Sequence, residues 1–201
     1  MLKMSTFLIL YMFLNTANLL TLFRIFLIPV LIFAFFVNTT TWRFVAASVF
    51  IFGCLTDYLD GYIARAYDQV SKFGQFLDPV ADKLLVTSTL LLLAGFDRIS
   101  HISLIPATII LAREILISGL REHLITANIS VRVTRLAKWK TAIQMTSICL
   151  LLVGETTKDF KTLSALGEIT LWVAASLAVV TAYKYIRSTY KHFQFDIEGK
   201  K

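Results

Sequence analysis

Charged residues are scarce in this chain of 201 residues: only 16% are Asp, Glu, Lys or Arg, against about 25% in an ordinary soluble domain. Glycine and proline are also few, at 8 and 3 residues, which excludes a collagen-like chain and a disordered low-complexity chain. The 2 cysteines lie inside apolar stretches and the 3 histidines are scattered, so we expect no disulfide framework and no thiolate metal site. What is abundant is apolar surface, since 57% of the residues are apolar and 13% are aromatic. The composition is typical of a helical membrane protein.

Six apolar stretches approach the roughly 20 residues that a membrane-spanning helix needs. They are residues 19–37, 42–60, 80–96, 102–120, 139–154 and 163–185. The sequence therefore predicts an all-α, polytopic membrane protein with six transmembrane helices.

The chain is expected to have three parts: an N-terminal interfacial segment (1–18), a six-helix domain (19–190) and a cytoplasmic tail (191–201). Residues 1–14 have the apolar character of a signal-peptide core, but no convincing cleavage site follows them. We interpret them as the interfacial start of the first helix.

Most of the 20 lysines and arginines fall on one side of the predicted membrane. They lie near the N-terminus, around the connections 66–77 and 121–138, and in the C-terminal tail. Cytoplasmic loops carry the excess of positive charge, so both termini are expected in the cytoplasm. The net charge of +7 is thus ascribed to topology and to contacts with anionic lipid or phosphate, rather than to nucleic acid.

Acidic residues stand at the predicted cytoplasmic ends of the second and third stretches. Asp57 and Asp60 are three positions apart, and Asp78 and Asp82 are four apart, so each pair shares one face of a helix. Four carboxylates can then converge from two neighbouring helices. Such a cluster either takes up protons or binds cations, because its charges repel one another.

The donor set is all oxygen, which suits Mg²⁺, Mn²⁺ or Ca²⁺ rather than zinc or copper. Four carboxylates around two ions would form a site that clamps the attacking and leaving oxygens of a phosphoryl displacement. A solvated cluster or a proton relay is the alternative interpretation. A divalent-cation carrier is the rival functional class.

The residues between the two acidic pairs indicate how a ligand approaches. Gly74 is expected in the connection of an antiparallel hairpin, and Pro79 in the first turn of the third helix. Gly61 and Gly74 leave room for a ligand, and Arg65 at the helix end is suited to a phosphate oxygen.

At these residues the sequence resembles the CDP-alcohol phosphatidyltransferase family. That family's motif is D-x2-D-G-x2-A-R-x8-G-x3-D-x3-D, and every fixed position is met. The matching residues are Asp57, Asp60, Gly61, Ala64, Arg65, Gly74, Asp78 and Asp82. Over residues 15–185 the chain also resembles the bacterial members of the family whose acceptor is glycerol 3-phosphate, through stretches such as Ala112-Arg113-Glu114-Ile115 and Lys138-Trp139-Lys140-Thr141.

The resemblance implies six transmembrane helices, a homodimer and a polar cavity facing the cytoplasm at the bacterial inner membrane. It implies that two divalent cations, Mg²⁺ or Mn²⁺, are held by Asp57, Asp60, Asp78 and Asp82, and that Asp82 is the general base. CDP-diacylglycerol is the implied donor. Its nucleotide is expected beside Gly61, Ala64, Arg65 and Gly74.

An acceptor that carries a phosphate needs cations, and four are available near the expected cavity. These are Arg113, Arg121, Lys138 and Lys140. Arg113 lies well inside an apolar stretch, where an unpaired guanidinium is costly, so Glu114 is an alternative, structural partner for it. Lys138 and Lys140 are either pocket residues or anchors that reach to the membrane surface.

The acceptor stays open on the residues alone. Serine needs fewer cations than these four, whereas an inositol phosphate would use them equally well, and phosphatidylglycerol is a further candidate. The resemblance favours glycerol 3-phosphate.

Overall fold

The computed structural model describes the backbone of residues 16–66, 72–126, 134–154 and 161–198, and side chains over 19–56, 77, 79–124, 134–154 and 162–190. Every regular element in these ranges is helical, which confirms the all-α prediction. Six α-helices follow one another, with a short 3-10 helix, His101–Ser103, before the fourth. They are α1 (Thr16–Val37), α2 (Thr40–Ala66), α3 (Lys72–Gly95), α4 (Leu104–Thr126), α5 (Arg135–Val153) and α6 (Lys161–Glu198).

Four described helices are long and apolar enough to cross a membrane. The apolar spans are Leu19–Val37, His101–Leu124, Arg135–Val153 and Thr162–Tyr190. A shorter apolar stretch, Thr40–Thr56, forms the first part of α2. Helix α2 has 27 residues and is about 40 Å long, which is more than the roughly 30 Å thickness of a hydrocarbon layer.

The chain divides into two compact units, Met1–Phe96 and Asp97–Lys201. In the first unit, α1 packs on α2 and α3, and these two also contact each other. A Cβ built on Gly53 of α2 would come within 2.5 Å of Leu85 Cδ2 in α3 and 3.4 Å of Leu27 Cδ1 in α1. The absence of a side chain at Gly53 therefore allows the three helices to approach closely.

The second unit is a bundle of α4, α5 and α6 in which α6 contacts both other helices. Ser100, just before the 3-10 helix, bonds Glu168, and Arg113 bonds Thr181, each across 68 positions. A constant offset means that α4 and α6 run in the same direction. Ser147 Oγ donates to the carbonyl oxygen of Gly167 at 2.7 Å, which joins α5 to α6.

Two expectations about α3 are wrong. The helix begins at Lys72, so Gly74 lies inside it rather than in the connection, and Pro79 lies inside it rather than in its first turn. Helix α2 ends at Ala66, so Arg65 lies at its end as expected. Hydropathy placed the start of the third apolar stretch at residue 80, whereas backbone hydrogen bonding begins α3 earlier, among polar residues. Residues 67–71, between them, lie outside the described ranges, as do residues 1–15.

Candidate functional site

The acidic motif occupies the last turns of α2 and the first turns of α3. The backbone places Asp57 and Asp60 on α2, directly after its apolar stretch ends at Thr56, and Asp78 and Asp82 on α3. Gly61, Ala64 and Arg65 follow on α2, and Gly74 precedes the second pair on α3. The side chains of all these residues except Asp82 lie outside the described ranges.

Asp82 is half-buried, and it follows Ala81, which is fully buried. Lys83 Nζ donates to the carbonyl oxygen of Pro79 at 2.9 Å, so the lysine curls back over the turn that contains Asp82. Pro79 has no N–H, and the helix therefore lacks the hydrogen bond that this residue would give to the carbonyl group one turn earlier.

The donor chemistry of the motif fits hard divalent cations. Two helices that contact each other carry two carboxylate pairs at spacings that share a helical face. No group of three possible metal-binding side chains occurs among the described residues, but three of the four motif carboxylates lie outside them. The predicted ligands Asp57, Asp60, Asp78 and Asp82 therefore stay a prediction.

A second polar site lies inside the bundle of α4, α5 and α6. Arg113 Nη1 is 3.3 Å from Glu114 Oε1, and Arg113 Nη2 donates to Thr181 Oγ1 at 3.3 Å. Lys140 Nζ forms an ion pair with the same Glu114 oxygen. We call Arg113, Glu114, Lys140 and Thr181 the Arg113 cluster. Its two cations share one carboxylate oxygen.

The cluster is largely closed to solvent. The Lys140 side chain is only 3% exposed, and those of Arg113 and Glu114 are 12% and 17% exposed. Burying a lone cation in an apolar bundle is costly, and a shared carboxylate offsets that cost. The alternative interpretation of Glu114 as a structural partner of Arg113 is therefore confirmed as a contact.

The four predicted acceptor cations separate into two pairs. Arg113 and Lys140 join the cluster, while Arg121 and Lys138 are exposed. Lys138 precedes Lys140 by two positions, which is a rotation of about 200° around the helix. Arg121 lies about 12 Å further along α4 than Arg113.

The cluster lies within the apolar spans of its helices. Arg113 is near the middle of the span His101–Leu124 of α4, and Thr181 lies within the span Thr162–Tyr190 of α6. Arg121 is exposed further along the same span of α4.

Sequence reasoning did not identify Thr181 or Gln144 as part of this region. Gln144 follows Lys140 by one turn on the buried face of α5 and is 1% exposed. Its spacing from Lys140 is a signal that the sequence offers. Thr181 has none, because its contact with Arg113 depends on the packing of two helices distant in sequence.

At the opposite end of the bundle, Glu168 of α6 binds the segment that leads into α4. Its carboxylate accepts from Ser100 N at 2.8 Å, Ser100 Oγ at 2.7 Å and Ser103 Oγ at 2.8 Å. These bonds give an acceptor to the backbone N–H of Ser100 and to the hydroxyl groups of Ser100 and Ser103, just before α4. Glu168 lies 13 positions before Thr181, about 20 Å along the helix, and so it is remote from the Arg113 cluster.

Comparison with known proteins gives one consistent result. A sequence model of the CDP-alcohol phosphatidyltransferase family matches residues 14–180. A relative from Rickettsia felis is 44% identical over 179 residues, which cover 89% of this chain and 97% of the relative. A relative from Pseudomonas fluorescens is 39% identical over 186 residues, which cover 90% of this chain and 93% of that one. Both relatives are named CDP-diacylglycerol–glycerol-3-phosphate 3-phosphatidyltransferase.

Proposed function

The chain belongs to the CDP-alcohol phosphatidyltransferase family, and we propose that it transfers the phosphatidyl group of CDP-diacylglycerol to the sn-1 hydroxyl of glycerol 3-phosphate. The products are phosphatidylglycerophosphate and CMP, so the enzyme acts in phospholipid biosynthesis. The two relatives support this reaction by name. The family motif at Asp57 to Asp82 supports the donor, and the Arg113 cluster supports the acceptor.

The observation that carries the choice of acceptor is the shared carboxylate of Glu114. Arg113 and Lys140 both contact one oxygen of it in a nearly closed bundle. A phosphate monoester offers more negative charge and more acceptor oxygens than a single carboxylate, so it can replace Glu114 as the partner of both cations. Serine has no such group. Arg121 and Lys138, exposed at the same end of the bundle, draw the acceptor in by charge.

The proposal assigns two divalent cations, Mg²⁺ or Mn²⁺, to Asp57, Asp60, Asp78 and Asp82. When bound, the ions neutralise charge on the pyrophosphate of CDP-diacylglycerol. Gly61 and Gly74 leave space for the nucleotide beside Ala64, and Arg65 pairs with its phosphate.

Asp82 is the proposed general base, and it is the motif carboxylate whose half-buried side chain the structure describes. It accepts the proton of the sn-1 hydroxyl while that oxygen forms a bond to the phosphorus carrying diacylglycerol. The bond from this phosphorus to the oxygen shared with the cytidine phosphate breaks. CMP leaves with the electron pair, and Arg65 offsets its charge. Positioning by Arg113 and Lys140 supplies much of the acceleration, as in other phosphoryl transfers.

The proposed setting is the bacterial inner membrane, with six spans, both termini and the polar cavity on the cytoplasmic side, and a homodimer. Four apolar spans and the apolar part of α2 support a multi-pass protein. The concentration of lysine and arginine between residues 121 and 140 and in the C-terminal tail supports the orientation.

The direct test is an assay of the purified protein in detergent with labelled CDP-diacylglycerol and separate acceptors. The acceptors are glycerol 3-phosphate, inositol phosphate, serine and phosphatidylglycerol. We expect CMP release and a phosphorylated lipid only with glycerol 3-phosphate, and only when Mg²⁺ or Mn²⁺ is present. Equal turnover with inositol phosphate would contradict the acceptor. Ion flux into liposomes without any nucleotide would instead favour a cation carrier.

A further inference from the structure

Gln144 is a buried polar residue with an unmet hydrogen-bonding atom. It lies on the face of α5 that is buried in the bundle, between Lys140 and Ser147, and only 1% of it is exposed. Among the described residues, no donor reaches Gln144 Oε1. Its neighbour Ser147, in contrast, donates to the Gly167 carbonyl. A buried acceptor without a donor is costly, so its presence here calls for an explanation.

The Arg113 cluster contains a second buried polar atom without a partner among the described residues, and this one is a hydrogen-bond donor. Arg113 uses Nη1 and Nη2 on Glu114 and Thr181, while its buried Nε has no acceptor within the part of the chain that the structure describes. Lys140, which shares Glu114 with Arg113, precedes Gln144 by one helical turn of about 6 Å. Lys140 thus links the two residues: it shares Glu114 with Arg113, and it shares the buried side of α5 with Gln144.

A molecule that carries both a phosphate and a hydroxyl matches this pair. Phosphate oxygens accept from Arg113 Nε and Lys140, and a hydroxyl donates to Gln144 Oε1. The phosphate cannot take the place of the hydroxyl, because a carboxamide oxygen and a phosphate oxygen both only accept. In glycerol 3-phosphate the secondary hydroxyl is on the carbon next to the phosphate-bearing carbon, a span that one helical turn can accommodate.

We propose that Gln144 is a specificity residue that recognises the secondary hydroxyl of the acceptor. This inference rests on the proposed function, in which the primary hydroxyl is the nucleophile and the secondary one is left to be bound. Gln144 and Lys140 are both nearly closed to solvent. The acceptor therefore binds as its phosphate displaces the Glu114 carboxylate from Arg113 and Lys140, and the flexible Gln144 side chain turns to its hydroxyl.

The test pairs a variant of the enzyme with a variant of the substrate. Purified wild type and Gln144→Leu are assayed for CMP release with glycerol 3-phosphate and with 1,3-propanediol monophosphate, which lacks the secondary hydroxyl. Thr146→Val is the control, since Thr146 is exposed on the same helix and its Oγ1 donates to the Ala142 carbonyl oxygen of that helix at 2.9 Å. Gln144→Met, unbranched and of similar length, gives the same comparison if the leucine variant does not fold.

Wild type and Thr146→Val are expected to favour glycerol 3-phosphate by about tenfold in kcat/KM. Gln144→Leu is expected to lose that preference, through a higher KM for glycerol 3-phosphate and little change with the analogue. An unchanged preference in Gln144→Leu, or no preference in wild type, would overturn the inference and leave a buried water as the partner of Gln144. No CMP release by wild type with either acceptor would instead overturn the proposed function.

Discussion

Arg113 of α4 donates a hydrogen bond to Thr181 of α6 at 3.3 Å, across 68 positions of sequence. The same offset separates Ser100 from Glu168 at the other end of these helices. The two contacts hold α4 and α6 parallel and in register. This register brings the guanidinium of Arg113 to the level where Lys140 of α5 meets Glu114.

Thr181→Val should weaken the binding of glycerol 3-phosphate without weakening the binding of CDP-diacylglycerol. The valine keeps the shape of the side chain but cannot accept from Arg113, so the guanidinium is less well oriented. We expect the KM for glycerol 3-phosphate to rise by about two- to tenfold, with the KM for CDP-diacylglycerol unchanged. Steady-state kinetics with each substrate varied in turn measure both constants.

Ser176→Ala is the matched control for this variant. Ser176 is exposed on the same helix, and its Oγ bonds the Trp172 carbonyl at 3.0 Å. If Thr181→Val behaved like Ser176→Ala, Thr181 would have no part in orienting Arg113.

Glu114→Gln should destabilise the protein, because it leaves Arg113 and Lys140 close together without their shared negative charge. Removing one partner of a buried ion pair costs about 3 kcal/mol, which corresponds to a fall of roughly 6–12 °C in the unfolding midpoint. Thermal unfolding of the detergent-solubilised protein, with size-exclusion chromatography as the readout, measures the midpoint. Added glycerol 3-phosphate should restore part of the loss by supplying an anion.

Glu122→Gln controls for the loss of a carboxylate on the same helix, since Glu122 is exposed. A midpoint for Glu114→Gln equal to that of Glu122→Gln would show that the ion pairs of Glu114 contribute nothing to stability.

How far the sequence predicts this structure depends on whether an interaction is local. The i, i+3 and i, i+4 spacings predict which carboxylates share a helical face, and hydropathy predicts that six helices exist. Hydropathy does not predict where they end: α3 begins at Lys72 and carries Pro79 inside it, because backbone hydrogen bonds continue past the apolar stretch. Among the predicted cations, Arg113 and Lys140 meet at Glu114 while Lys138 is exposed.

The contacts that define the second polar site depend on tertiary packing. Thr181 is a common residue in an apolar helix, and only the parallel register of α4 and α6 brings it to Arg113. Gln144 is similar, because its importance comes from burial and from an acceptor atom without a donor among the described residues. Neither the contact of Thr181 with Arg113 nor the missing donor of Gln144 can be read from one sequence.

Glu168→Ala should reduce stability while leaving the acceptor site intact. Glu168 accepts three hydrogen bonds from Ser100 and Ser103, and its removal takes away all three, while Ser100 Oγ can still donate to Ser103 Oγ. We expect a loss of about 2 kcal/mol and a KM for glycerol 3-phosphate like that of wild type, since Arg113 is about 20 Å away. Thermal unfolding and acceptor kinetics provide the two measurements. A tenfold change in the KM for glycerol 3-phosphate with no change in stability would contradict a purely structural role for Glu168.

Gly53→Ala should destabilise the first unit by overpacking. The added Cβ would be 2.5 Å from Leu85 Cδ2, so the side chain or the helices must shift, at a cost of about 1–3 kcal/mol. Gly119→Ala is the control, because no atom of the described residues lies within 4 Å of a Cβ at that position. Thermal unfolding compares the two. The double variant Gly53→Ala with Leu85→Val should recover part of the loss, and failure to do so would argue against the contact with Leu85.

The central claim divides the work between two places: carboxylates on α2 and α3 carry the chemistry, and cations in the second bundle hold the acceptor. The most direct measurement is kcat, and KM for each substrate, in Asp82→Asn and Arg113→Ala. Asp82→Asn should abolish turnover. Arg113→Ala should raise the KM for glycerol 3-phosphate by at least about tenfold, far more than the KM for CDP-diacylglycerol. Near-normal turnover in Asp82→Asn, or a larger effect of Arg113→Ala on the lipid nucleotide than on the acceptor, would contradict this account.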